Sequence, residues 1–298
     1  MSCLLEGGGT VKQQKWSGVL FLLPGFLFFC LFLIYPLLRN FLYSFYDFKL
    51  SNINHTVYVG LENYARVIED PIFWISLKNI IIYGLISVPG QMILGFIVAY
   101  ALNASTKSSK IFRTFYFLPV VTSWVVASLI FKFIFTDQGL LNYLITDVLH
   151  LTESRISWLS EPAKALSVIS MLGIWKGVGW AMVIYLAALQ NVPKELYESA
   201  DLDGSNTWQK IRYITLPSIK FTTFFVQIML IIGAFNVFTS IFLITKGGPV
   251  HQTEVMLTWM YSKAFTEYDL GYASALSYTF AAIIAVLTFI QFKINKLN

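Results

Sequence analysis

The chain reads as an all-α integral membrane protein with six transmembrane helices and both termini cytoplasmic. Three observations lead there. Of its 298 residues 56% are hydrophobic and only 12% are charged, about half the ~25% charged share of an ordinary soluble domain. Apolar runs near or above the roughly 20 residues that cross a bilayer recur along the whole length. Short basic segments and longer acidic ones alternate between those runs.

The runs cover Ser17–Leu38, Asn79–Leu102, Ile111–Phe135, Ala165–Leu189, Phe221–Ile244 and Tyr272–Phe292. In lipid they must be helices, because only a helix satisfies its own backbone polar groups within one segment. Pro24, Pro36, Pro89 and Pro119 fall in or at the ends of these runs, which membrane helices tolerate where neighbours re-satisfy the freed carbonyls. The first run is longer than a signal-peptide core and is followed by Arg39 and aromatics, so it reads as an anchor that stays attached.

Lys12 and Lys15, then Lys107, Lys110 and Arg113, then Lys293 and Lys296 all land on one side of six spans. Asp47, Glu62, Glu69, Asp70, Asp137, Asp147, Glu153 and Glu161 lie in the opposite loops. The basic side is the cytoplasmic one. The expected organisation is a cytoplasmic tail over residues 1–16, then a single transmembrane domain over 17–298 with a distinctive cytoplasmic loop at about 190–220. Loop lysines and arginines explain the net charge of +5, and no basic, aromatic-interleaved patch suggests a nucleic-acid partner. Cys3 and Cys30 have neither pairing nor metal-type spacing.

The loop reads PKELYESADLDGSNTWQKIRYITLP over residues 193–217. It parses as a short helix opened by Pro193, a break at Gly204, a second helix and a stop at Pro217. A helix of about ten residues is about 15 Å long, too short to span and suited to docking in a groove. A plain interfacial amphipathic helix held by Trp208 and Tyr213 is the bland alternative.

The spacing decides between them. Glu198, Ser199 and Ala200, then Gly204, then Ile214, Leu216 and Pro217 resemble the "EAA" loop of permease subunits of binding-protein-dependent ABC importers. That motif is written E-A-A, three residues, G, nine residues, I-x-L-P, and Ser199 for the first alanine is the one departure. Tyr197, Asp203, Trp208, Gln209, Trp175-Lys176-Gly177 and Thr245-Lys246-Gly247-Gly248-Pro249 are similar to the carbohydrate-uptake branch.

The resemblance implies a type I ABC importer permease fold in the bacterial cytoplasmic membrane, moving a sugar or oligosaccharide. It implies a second homologous permease subunit, usually in a heterodimer. It also implies two ATPase subunits that bind ATP and magnesium, an extracytoplasmic solute-binding protein, and no cofactor in this chain. Glu195, Glu198, Ser199, Ala200, Asp203, Gly204 and Pro217 would be the ATPase-coupling positions.

Inside the spans, a lipid-facing Lys176 would cost several kcal/mol, so it should face a cavity or a partner helix, with Trp180 four residues on as a cation–π partner. A structural lysine at a subunit interface is the competing reading. Gly233, Asn236 and Ser240 follow helical spacing and form a small polar stripe that either packs helices or lines a solute pathway. In relatives the stretch before the Gly-Gly-Pro turn contributes to the solute site, which favours the pathway.

There is no G-x-x-x-x-G-K-[ST] phosphate loop, and His55, His150 and His251 are scattered without metal spacing. No catalytic constellation stands out, which argues against a membrane enzyme. A secondary transporter would need acidic or coupling-ion ligands within the spans, and these runs contain no Asp or Glu. Glycerol-3-phosphate is the competing solute within the importer class, and Lys176 leaves it open.

Overall fold

The computed structural model describes residues 21–104 and 109–296. Cys3, Gly7 to Gly9, Lys12, Lys15 and Lys107 lie outside the described residues. Among the described residues six helical stretches are long and apolar enough to cross a membrane: Phe21–Tyr43, Pro71–Asn103, Trp124–Val148, Pro162–Gln190, Lys220–Ile244 and Leu270–Ile290. The chain forms two compact units, Met1–Glu69 with Lys263–Ala281, and Asp70–Ser262 with Ala282–Asn298.

In the first unit the first span passes through a π-helical turn at Cys30–Ile34 before resuming at Tyr35–Tyr43. That turn resets the ladder just where Pro36 has no amide to give. The span therefore runs beyond the expected Leu38. Beyond it Tyr46–Asp47 pairs antiparallel with Val57–Tyr58. Asn63 ties this ribbon down, its amide donating to the Ser44 and Tyr46 carbonyls at 3.0 and 2.9 Å. Arg66 meets Asp269 at 2.9 Å and lies over the Tyr272 ring. The sixth span, Leu270–Lys296, is joined to the first by Ser274 Oγ donating to Asn40 Oδ1 and by the Tyr278 hydroxyl donating to the Leu37 carbonyl, each at 2.6 Å.

The second unit is built on two long helices, Pro71–Ala104 and Pro162–Gln190. The former starts eight residues before the expected Asn79 because Asp70 caps it, its Oδ1 accepting from the Ile72 amide at 2.8 Å, with Pro71 in the first turn. Small residues let the two backbones meet: a Cβ at Gly95 would stand 2.6 Å from the Ala181 Cβ. Without a hydrophobic driving force inside lipid, such close packing is what associates membrane helices. Ala99, Leu102, Met182, Tyr185 and Leu186 form the buried seam between them, joined by Val226.

Two expected spans are broken. The run Ile111–Phe135 divides into Ser109–Val121 and Trp124–Phe135, and the spanning stretch continues to Val148 rather than ending at Phe135. Pro119 weakens the ladder and the Ser123 hydroxyl caps a new helix, accepting from the Val125 amide at 3.2 Å. Asp137 and Asp147 thus fall in the later part of that stretch, Asp137 in the turn where the Asn142 amide donates to the Asp137 and Ile156 carbonyls and Asp147 beyond it. The run Phe221–Ile244 divides into Lys220–Phe235 and Thr239–Ile244. Beyond it, Met256–Tyr261 forms a short helix that the hydropathy pattern did not suggest. Its loop is locked by Asn79, whose amide donates to the Gln252 and Glu254 carbonyls at 2.8 Å each.

Candidate functional site

The two breaks meet at a cavity of about 410 Å³ inside the second unit. Where the third span breaks, the Pro119 and Thr122 carbonyls lose the amide partners a continuing helix would supply. Lys176 of the fourth span replaces them. Its ammonium donates to the Pro119 carbonyl at 2.8 Å, the Thr122 carbonyl at 2.7 Å and Thr122 Oγ1 at 3.3 Å. A lysine at the C-terminal end of a helix complements both the orphan carbonyls and the dipole. With 4% of its surface exposed, Lys176 is buried but not unpaired.

The aromatic partner differs from the expected one. The Lys176 ammonium stands 4.9 Å from the Trp124 ring centroid, because the break turns Trp124 back towards the fourth span. Trp180 lines the same cavity without making that contact. Lys132, for which the sequence carries no expectation, repeats the device beyond the other break, at the end of the fifth span: its ammonium donates to the Leu243 carbonyl at 2.9 Å, near the end of Thr239–Ile244. A lone lysine between two phenylalanines in an apolar run was the available signal.

Gly233, Asn236 and Ser240 do not form one continuous helical stripe, since the fifth helix ends at Phe235 with Asn236 as its cap. The Asn236 amide donates to the Ile232 carbonyl at 2.8 Å, satisfying a terminal carbonyl and favouring the break. The chain turns at Phe238 and restarts, and the bend still delivers all three residues to the cavity wall. Ser240 is 1% exposed, and its hydroxyl has no hydrogen-bond partner among the described residues. Gln91 of the second span also lines the cavity, and a lone glutamine beside Pro89 and Gly90 carried no signal of it.

The loop at 193–217 forms the second site. Lys194–Leu202 is a nine-residue helix with Pro193 at its N-cap. It ends in a Schellman motif: the Ser205 amide donates to the Ala200 carbonyl at 2.9 Å and the Gly204 amide to the Asp201 carbonyl at 3.1 Å. Gly204 adopts φ 72° to allow it. Asn206 and Gln209 then form a reciprocal capping box that opens Thr207–Lys210. Pro217 does not stop the second helix as expected. A π-helical turn at Ile211–Thr215 frees its position, and it sits within Leu216–Ser218 ahead of the kink at Ile219.

Glu195, Glu198, Ser199 and Asp203 are exposed, and Leu202 is 90% exposed. Ala200 is buried and faces the protein. Tyr197 and Ile214 pack on the seam that holds the second, fourth and fifth spans together. Lys210 pairs with Asp201 across the turn. The loop is thus a stiff hairpin of two helices seated on the ends of the spans, and the fourth span enters it through Asn191 and Val192.

Residues 91–297 match the family described as the binding-protein-dependent transport system inner membrane component. The chain belongs to this family. The permease is 36% identical to the probable ABC transporter permease protein YurN of Bacillus subtilis (strain 168), over 96% of its own length and 98% of that relative's. It is 33% identical to the lactose transport system permease protein LacF of Rhizobium radiobacter, covering 93% of each chain. In fold it is similar to a crystal structure of a bacterial alginate ABC transporter in complex with an alginate pentasaccharide-bound periplasmic protein, with a TM-score of 0.80, 22% identity, and coverage of 94% of this chain and 93% of that one. The permease is a transport subunit and a multi-pass protein of the cytoplasmic membrane, with the type I importer fold.

Proposed function

We propose that this permease moves a sugar or oligosaccharide inward through the cavity at its two broken spans, driven by a separate ATPase that grips the loop at 193–217. The observation that carries the reading is the cavity's lining. Trp124, Trp180 and Phe238 offer flat faces, and Gln91, Asn236 and Ser240 offer amide and hydroxyl groups, the mixture that recognises a ring bearing hydroxyls. The sugar solutes of the relatives, lactose and alginate, support it. In this reading Trp180, Gly233, Asn236 and Ser240 line the pathway, and Lys176 shapes its wall by holding the break at Thr122.

The loop supplies the coupling. Glu195, Glu198, Ser199 and Asp203 form its exposed ridge, which enters a cleft of the ATPase. Ala200 and Gly204 set the hairpin's shape, and Pro217 leads it back to the fifth span. Closure of the ATPase pair around ATP and magnesium displaces the hairpin. The fourth span carries that displacement towards the cavity, which lies about 20 Å away between Gln190 and Lys176 at 1.5 Å per residue. Rigid bundles rocking around a central site give alternating access. Both termini and this loop face the cytoplasm. A second homologous permease, two ATPase subunits and an extracytoplasmic binding protein complete the importer.

The test is uptake of labelled neutral and acidic mono- and oligosaccharides in cells lacking only this chain and in cells with it restored. Loss and recovery of one sugar's uptake is the expected result. Unchanged uptake of the whole panel would overturn the sugar reading.

A further inference from the structure

We infer that the part of the solute held by this chain is uncharged and rich in hydroxyls, and that Gln91 is a specificity-determining contact for it. The inference rests on the transport reading above and names the chemistry of that same cavity.

Charge comes first. Lys176 is the only ionisable cation among the residues lining the cavity, and no Asp or Glu lines it. A free ammonium there would attract a carboxylate or phosphate. This one is committed: its bonds to the Pro119 carbonyl, the Thr122 carbonyl and Thr122 Oγ1 use the three protons an ammonium has. An anion could recruit it only by leaving the Thr122 carbonyl at the helix break unpaired in a buried place and the Pro119 carbonyl with the Thr122 hydroxyl alone.

The neutral groups argue the same way. Asn236 gives one amide proton to the Ile232 carbonyl, which leaves it a second N–H and the acceptor Oδ1. A donor beside an acceptor matches a hydroxyl, which both gives and takes a hydrogen bond, better than a carboxylate or phosphate oxygen, which only accepts. Ser240 Oγ is buried and unpartnered among the described residues. Gln91 is 8% exposed and lines the cavity, and no hydrogen bond among the described residues engages its amide. Such groups are costly to bury without partners. Together they offer donors and acceptors from two amides and a hydroxyl, the complement of a polyol.

Gln91 has a reserved place. Its amide lies against the backbone of Gly177, where a Cβ would fall on Gln91 Oε1. Glycine at 177 lets the amide stay beside Lys176 and Trp180 rather than fold away. A site built to hydrogen-bond hydroxyls discriminates strongly, because a ligand lacking them leaves its polar groups unpaired.

The experiment has two stages, both on the complete importer. Cells carrying it are offered labelled lactose, maltotriose and arabinobiose, and separately digalacturonate and glycerol-3-phosphate. The neutral sugar taken up then serves as the probe for equilibrium binding to the purified assembly in nanodiscs, with the binding protein left out. We expect uptake confined to neutral sugars. In Gln91→Met, which keeps the side chain's bulk, we expect the probe's Kd to rise about five- to tenfold, the effect of losing a neutral hydrogen bond, with the assembled amount unchanged. Gly177→Ala, which displaces the amide without removing it, should raise Kd similarly and stands in if Gln91→Met fails to assemble. Uptake of digalacturonate or glycerol-3-phosphate, or an unchanged Kd in these variants, overturns the inference and leaves the transport reading standing. Uptake of none of the probes overturns both.

Discussion

The hydroxyl of Tyr197 lies 3.0 Å from Thr215 Oγ1 and bridges the two helices of the loop across the Gly204 turn. Thr215 is fully buried, and its own hydroxyl donates to the Lys210 carbonyl at 3.2 Å. Tyr197 is therefore the donor, and the bond makes the hairpin one body. Tyr197→Phe removes only that bond, about 0.5–1.5 kcal/mol, and keeps the ring on the core. We expect uptake per assembled importer to fall about two- to tenfold while ATP hydrolysis persists. Normal uptake would mean the two helices need not move together.

Gly204 has nothing within 4 Å of where a Cβ would stand, yet its φ is 72°. The cost of a side chain there is backbone strain alone, about 1–2 kcal/mol for an ordinary residue and less for Asn. Gly204→Val should weaken co-purification of the ATPase with the permease, and Gly204→Asn should retain most of it. Equal loss in both would point to crowding by the partner instead.

Lys176→Met would strip the Thr122 carbonyl of its donor and leave the Pro119 carbonyl with the Thr122 hydroxyl alone. An orphaned buried acceptor costs about 1–3 kcal/mol, and a loss of that order is expected, read as a lower melting temperature of the assembly in detergent. Lys176→Arg can still donate to both carbonyls and should lose less. A lysine that bound solute directly would give the opposite pattern: unchanged melting in Lys176→Met with lost transport.

How far the sequence could carry these conclusions depends on the length scale of each signal. Six spans and the loop motif were legible because they rest on runs of about 20 residues and on fixed spacing along the chain. The breaks at Thr122 and Asn236 were not. Both segments stay apolar across the break, and what ends the helix is one hydroxyl at Ser123 and one amide at Asn236, below the resolution of a hydropathy pattern. Lys176 was recognised as needing a partner, but Trp124 became its ring only through the break, 52 positions away along the chain. Gln91 was invisible for a related reason. Its meaning depends on Gly177, which faces it from another helix. The start of the second span was different: Asp70 followed by Pro71 is a cap signal that was present and outweighed by the polar residues up to Asn79.

Gly247 offers a contrast with Gly204 that separates strain from crowding. Its φ is 79°, and a Cβ there would fall on the carboxylate of Glu254. Glu254 is 3% exposed. It holds His251 Nδ1 at 3.1 Å and accepts from the Thr258 hydroxyl, while the Glu254 carbonyl receives the Asn79 amide. Gly247→Ala therefore adds to the strain of the left-handed backbone, about 1–2 kcal/mol, the displacement of a buried carboxylate from its partners, worth roughly another 1–3 kcal/mol. Gly204→Ala carries the first cost alone. We expect Gly247→Ala to reduce the amount of folded permease in the membrane severalfold and Gly204→Ala to leave it near normal, as measured by quantitative blotting of both variants. If the two fell equally, backbone strain would be the whole cost and Glu254 would be free to move aside.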